Sequence, residues 1–362
     1  MKKRIVFAVT NDLSYDQRMQ RICSSLFSQG YQVLLVGRKR KHSLLLKEEG
    51  FSQKRLRCLF DKGLLFYAEY NLRLLFFLLF VPTDAFCAID IDTILPCWIA
   101  SVVRRKKRVY DAHELFTEQK EIVTRKKVQR FWLFIERFCV PRFEHGYTVN
   151  YFIKEELGRR YGVNYGIIRN LPRYNATIPA IQQPPFIIYQ GAVNEGRSFE
   201  TLIPAMQKVN ATLVICGEGN YYEQTKALVK QYALTDKVKL KGYVMPTDLR
   251  QLTPQAIFGI TLFEATGLNQ YYSLSNRFFD YMMAGIPQVC VNYPEYAMIN
   301  NEFEIALLIE DTAVQTIADA LNLLLEDAAL YNKLQQNAIK ARNTLNWEQE
   351  GMILNAFWQK IL

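Results

Sequence analysis

Chemistry-bearing residues gather where apolar runs of strand length end. Asn11 and Asp12 follow Arg4–Val9, and Asp90 and Asp92 follow Ala85–Ile89. Asp111, His113 and Glu114 follow Arg108–Tyr110. Further along, Gly191-Ala-Val-Asn-Glu-Gly-Arg197 follows Phe186–Gln190, and Gly217-Glu-Gly219 follows Ala211–Cys216. Gly242-Tyr243 and the stretch from Glu264 to Asp280 close the series. Glycines at a strand-to-helix junction let backbone N–H groups approach a phosphate, and a helix N-terminus favours its charge. Arg197 adds a charge-assisted donor. A carboxylate such as Asp280 suits a vicinal diol, because each oxygen accepts one O–H. His113, one of three histidines, stands at a strand exit between acids, which makes it a site candidate over a core histidine. Ser275-Asn-Arg277 opens a helix over Asn276–Ala284, with Ser275 as its N-cap and Asp280 on a polar face.

Such residues need a frame that brings strand exits together. The first half alternates strand and helix patterns: a strand over Arg4–Val9, a helix over Asp16–Gln29, a strand over Tyr31–Val36. Short strands at Ala85–Ile89, Arg108–Tyr110 and Gly146–Val149 follow, with a helix at Val128–Phe143. After a Pro-rich stretch at 171–185 the alternation restarts. Strands are expected at Phe186–Gln190, Ala211–Cys216, Val238–Lys241, Ile257–Leu262, Gln288–Val291 and Ile305–Ile309. Two α/β domains with doubly wound parallel sheets are expected, and in such sheets ligands sit beyond the carboxyl ends of the strands. The expected boundaries are 1–170, a linker at 171–185, 186–345, and a closing segment at 346–362.

Composition agrees with an enzyme of two cores: 362 residues, 50% hydrophobic and 22% charged. The seven cysteines are scattered and no C-x-x-C occurs, which disfavours a disulfide framework and structural zinc and fits a reducing cytosol. No G-x-G-x-x-G follows the first strand and no P-loop motif occurs, so a dehydrogenase and a P-loop NTPase lose their phosphate devices. The basic N-terminus runs into Asn11, Asp12 and Asp16 with no small-residue cleavage site, so a first strand is expected there, not a signal peptide. Leu64–Val81 is the most apolar stretch. Glu69, Asn71 and Arg73 interrupt it, and no membrane span is expected. The net charge of +10 is uneven: residues 1–180 carry 32 Lys and Arg against 17 acids, residues 181–362 carry 13 against 18. Basic clusters at 38–41, 104–108 and 125–127, together with an apolar-basic helix expected at Leu64–Val81, add to this bias, which suits an anionic partner such as a phospholipid surface.

Taken together, these segments resemble bacterial glycosyltransferases of the GT-B fold, the family-4-like group often described as glycosyl transferases group 1. The matching stretches are Thr10–Met19, Asp90–Pro96, Tyr110–Phe116, Ile168–Pro172, Gln190–Arg197, Gly217–Gly219, Asn276–Pro287 and the end from Asn346. The resemblance implies two Rossmann-like domains facing across a cleft, and a closing helix that returns to the first. It implies a retaining transfer from a nucleotide diphosphate sugar, with no cofactor and no essential metal. It assigns the donor to Gly191, Arg197, Gly217, Gly219, Tyr243, Ser275, Asn276, Arg277 and Asp280. Catalytic roles fall to His113, Arg197 and Asp280, and the acceptor side to Asn11, Asp12, Arg18, Asp92 and Glu114. Tyr272 stands where the family's E-x7-E pattern has its first glutamate, and Ala192 where an arginine is frequent, so diphosphate neutralisation rests on Arg197 and Arg277. A lipid-linked acceptor and a cytoplasmic, membrane-peripheral location complete the expectation. A nucleotide-sugar epimerase or hydrolase on this fold, and a non-catalytic nucleotide-sugar-binding homologue, are the alternatives. A nucleic-acid partner is not expected, since the basic clusters lack interleaved aromatics.

Overall fold

The computed structural model describes residues 2–14, 16–176 and 180–362. Met1, Tyr15 (inside the Thr10–Met19 stretch) and Thr177–Pro179 (inside the expected linker) lie outside the described residues. The chain forms two compact units, one of Met1–Asn170 with Gln349–Leu362 and one of Leu171–Glu348.

The strands of the first unit are β1 (Arg4–Ala8), β2 (Gln32–Lys39), β3 (Ser52–Arg57), β4 (Ala85–Ile89), β5 (Lys107–Ala112), β6 (His145–Thr148) and β7 (Gly166–Ile167). Its helices are α1 (Gln17–Ser28), α2 (Gly63–Phe80), α3 (Ile91–Val103), α4 (Lys120–Val123), α5 (Lys126–Cys139) and α6 (Tyr151–Tyr161). The strands form one sheet in the order β3-β2-β1-β4-β5-β6-β7, every pair parallel. β4 is buried along its whole length, as a central strand covered on both faces must be. Right-handed crossovers put α1 on one face and α2, α3 and α5 on the other, where α2 packs on α3 and α3 on α5.

In the second unit the strands are β8 (Phe186–Gln190), β9 (Thr212–Cys216), β10 (Val238–Gly242), β11 (Phe258–Thr261), β12 (Gln288–Val291) and β13 (Leu307–Ile309). Between them run α7 (Phe199–Ala205), α8 (Tyr222–Gln231), α9 (Pro246–Leu252), α10 (Leu268–Tyr271), α11 (Asn276–Ala284) and α12 (Pro294–Phe303). Then come α13 (Val314–Glu326), α14 (Ala328–Ala341) and α15 (Trp347–Ile361). The sheet order is β10-β9-β8-β11-β12-β13, again all parallel. The last turns of α15 return to the first unit. There the rings of Trp358 and Phe7 are 5.7 Å apart, and those of Phe357 and Tyr147 are 5.1 Å apart.

Two strands have no counterpart in the sequence-based expectation. β3 reads Ser-Gln-Lys-Arg-Leu-Arg and lacks an apolar face, because it pairs on one side only and its charges protect the sheet edge. β7, at the opposite edge, is two residues long. A third difference concerns Leu64–Val81. The expected helix forms, but Glu69, Asn71 and Arg73 do not shorten its apolar length as expected: α2 runs unbroken for 18 residues and is long and apolar enough, by length and composition, to cross a membrane. Phe66, Tyr70, Leu74 and Leu78 form its buried stripe, and the Tyr70 hydroxyl donates to the Val9 carbonyl.

Candidate active site

Each sheet reverses its strand order at one point, between β1 and β4 and between β8 and β11. Crevices open beyond the strand ends at such points. In the first unit the exits of β1, β4 and β5 bring an acid–histidine cluster together. The His113 backbone N–H donates to Asp90 Oδ1 at 2.8 Å, and its Nδ1 lies 3.5 Å from Asp90 Oδ2. Nε2 lies 3.1 Å from Asp111 Oδ2, an ion-pair distance without hydrogen-bond alignment. Asp111 is fully buried, and its other oxygen accepts from Arg18 at 2.9 Å. Arg18 also donates to the Ile168 carbonyl at 2.9 Å and is itself buried, so it reaches His113 through Asp111. Asp90 holds φ +55°, a conformation uncommon for a residue with a side chain.

The charges follow from this packing. Burial pulls the His113 imidazole down, but Asp111 and Asp90 outweigh it and lift the group to about 9. Burial pushes Asp111 up, while Arg18 and His113 together hold its carboxyl below the usual range. Burial and the acids Glu114 and Asp92 push Asp90 up, with His113 pulling against them. Burial lifts Asp92 to about 7 against a hydrogen bond from Thr10 Oγ1 at 2.5 Å. The packing thus favours the protonated form of His113 and the neutral form of Asp92, two groups suited to proton exchange at this set of strand exits. The remaining acceptor-side residues sit as follows. Asn11 caps its own turn at Leu13, Asp12 is paired with Arg55 at 3.0 Å, and Glu114 accepts from Gln119.

In the second unit the switch point gathers cations. Gly191 follows β8 with φ +116°, and a Cβ there would meet the Arg277 guanidinium at 3.6 Å. Arg277, on the first turn of α11, is 6% exposed. Its guanidinium lies 4.3 Å from the Tyr189 ring centroid and 5.2 Å from that of Phe263, and Arg197 lies 4.2 Å from the same Phe263 ring. Nε donates to Ser275 Oγ at 3.2 Å, and Nη1 has no hydrogen-bond partner among the described residues. Two guanidiniums against one ring, one of them buried with a donor unused, are chemically suited to receive an anion. The Ser275 hydroxyl makes no cap bond, in contrast to its expected capping role; it accepts from Arg277 instead, and its backbone N–H donates to the Tyr296 hydroxyl. Asn276 begins the same helix. Asp280 Oδ2 accepts from Gln190 Nε2 at 3.0 Å.

The remaining glycines serve backbone packing. A Cβ on Gly217 would stand 1.9 Å from the Gly191 carbonyl oxygen, and one on Gly219 would stand 2.3 Å from that of Val193. Gly191, Val193 and Gly217 are knitted by backbone bonds to Cys216, Glu218 and Gly242. Tyr243, half exposed, has its N–H 3.3 Å from Glu218 Oε1. Sequence reasoning set Asp111 beside His113 but gave no role to it, to Asp90, or to Tyr189, Gln190 and Phe263. Strand-exit position marked the two acids. Nothing in the sequence marks Phe263, since a Phe ending an apolar run looks like core.

The sequence model of the family described as Glycosyl transferases group 1 matches residues 175–341. No curated protein matches the chain in sequence. Solved structures match it along its length. Sucrose-phosphate synthase from Thermosynechococcus elongatus is 16% identical with a TM-score of 0.82, covering 99% of each chain. Anabaena HepE, solved with UDP-glucose, is 12% identical at 0.75, covering 99% of each. The lipopolysaccharide-biosynthesis glycosyltransferase WaaG is 14% identical at 0.66, covering 97% of this chain and 99% of that one.

Proposed function

We propose that this chain, a group 1 glycosyltransferase of the GT-B fold, moves a sugar from a nucleoside diphosphate sugar to its acceptor with retention of anomeric configuration. The pairing of Arg197 and Arg277 on Phe263, with Arg277 buried and one of its donors unused, carries this reading. As the glycosidic bond breaks, negative charge builds on the departing diphosphate. Two guanidiniums fixed beforehand stabilise that charge without reorganisation. This supports a metal-independent transfer. Asp280, held by Gln190, takes the ribose diol; Tyr243 takes the base; His113 serves the sugar. The UDP-glucose complex of HepE supports a uridine diphosphate donor as the first to test. The basic first half supports an acceptor in cell-surface polysaccharide or glycolipid synthesis, lipid-linked and met at the cytoplasmic face of a membrane.

The test is a thermal-shift series with UDP-, GDP- and ADP-sugars, with and without a chelator. A rise in Tm with one nucleotide class, unchanged by chelation, is expected. No rise with any nucleotide sugar would sink the reading. The carboxylates around His113 favour a second reading, a nucleotide-sugar hydrolase or epimerase, which needs acids and bases around the sugar. Turnover of the donor with no acceptor present would select it.

A further inference from the structure

Helix α2 presents an apolar face that the protein itself leaves uncovered. Its stripe of Phe66, Tyr70, Leu74 and Leu78 is buried against the first unit. Its open side is mostly apolar, with Leu64 67% exposed, Leu72 56%, Phe76 58% and Phe80 81%, and it also carries Glu69 and Arg73. Its two charged residues neutralise each other, since Glu69 accepts from Arg73 and from the Leu59 and Phe60 backbones. Arginines mark both ends. Arg38 lies 4.1 Å over the Phe66 ring and donates to the Asp61 carbonyl. Arg104 donates to the Leu78 and Val81 carbonyls at 2.8 and 2.5 Å, followed by the exposed Arg105. Beside it in the same helical layer, α5 exposes Phe134 at 70%.

We propose that α2 is the element that seats this protein on an anionic lipid surface, lying in the interface with its open face among the acyl chains. This deepens, and rests on, the membrane-proximal acceptor proposed above. Crossing the bilayer is disfavoured. Eighteen residues span roughly 27 Å, short of a hydrocarbon core of about 30 Å, and the buried stripe ties α2 to its sheet. A helix with a broad apolar face and cationic ends suits the boundary between headgroups and chains. The excess of Lys and Arg over acids in residues 1–180 complements anionic headgroups. A second copy of the chain fits less well, because a two-fold contact would set the same basic rim against itself.

Flotation of the full chain tests this, with phosphatidylcholine vesicles with and without roughly one third phosphatidylglycerol. Wild type should float with the anionic vesicles at low salt, less at high salt, and not with phosphatidylcholine alone. Leu72→Glu with Phe76→Glu should weaken partitioning on the order of a hundred-fold, the scale of withdrawing two large apolar side chains. Both positions are exposed, so Tm and the donor-induced thermal shift should stay at the wild-type value. Arg105→Glu should weaken binding to the anionic vesicles at low salt only. If the double variant floats like wild type, α2 is not the seat, while the membrane reading stands. If wild type fails to float at low salt, both fall. If wild type is a dimer that the double variant dissolves, a second copy covers the face and the proposal is overturned. Loss of the donor shift in wild type would remove the transferase reading and leave the lipid result untouched.

Discussion

Arg277→Met separates an anion site from a structural arginine. Arg277 is 6% exposed, and among the described residues the side chains acting on its charge are tyrosines, not carboxylates. Its support is a hydrogen bond to Ser275, worth about 1 kcal/mol, and its contact with the Tyr189 side chain, worth roughly 1–2 kcal/mol. Against these stands the desolvation of a buried cation, which costs several kcal/mol. Met keeps the apolar stem and removes the charge. Stability without ligand should therefore change by less than about 1 kcal/mol, or rise. Donor affinity should fall steeply. A charge-assisted bond to a phosphate is worth about 1.5–3 kcal/mol, so loss of the Nη1 donor should weaken binding roughly ten- to a hundred-fold in Kd. Calorimetric titration with UDP and UDP-glucose reads the affinity, and urea unfolding without ligand reads the stability. A variant that loses about 3 kcal/mol of stability yet binds the nucleotide like wild type would refute the reasoning and make Arg277 a structural residue.

Arg197→Ala should lower kcat/KM about a hundred-fold, and the double variant with Arg277→Met should lose less than the sum, because both cations serve one diphosphate. The folded-state value of His113 is raised, so its contribution to stability is full below pH about 6.5 and lost as pH rises through about 9. The stability gap between wild type and His113→Gln in urea should accordingly shrink between pH 7 and pH about 10; a gap that grows over that range would contradict the assignment. Gly217→Ala should destabilise by on the order of 3 kcal/mol, since its Cβ would enter the Gly191 carbonyl and φ +150° disfavours a side chain; the thermal unfolding midpoint reads it.

How much could be read before folding differs between elements for identifiable reasons. Central strands carry their signal locally: Ala85–Ile89, Phe186–Gln190 and Gln288–Val291 are apolar because both faces are covered, and the helix Asn276–Ala284 ends at Gly285 with φ +71°. The strand exits, and with them His113, Arg197 and Arg277, were legible for the same reason: punctuation follows each buried run. Edge strand β3 was not, since an edge needs charge more than apolar pattern. Pairing across distance stayed hidden too. Asp90 and Asp111 converge on His113 because β4 and β5 are neighbours, with Ile89 opposite Asp111. Phe263 joins two arginines because β11 lies beside β8. The hydroxyl of Ser275 turns from its expected cap to Arg277, because that buried guanidinium offers a charged donor. The chain's own composition set the alternation of elements and the location of its polar punctuation. Sheet order alone decided which of those polar groups meet, because a strand's neighbours are chosen by packing far along the chain and leave no local mark.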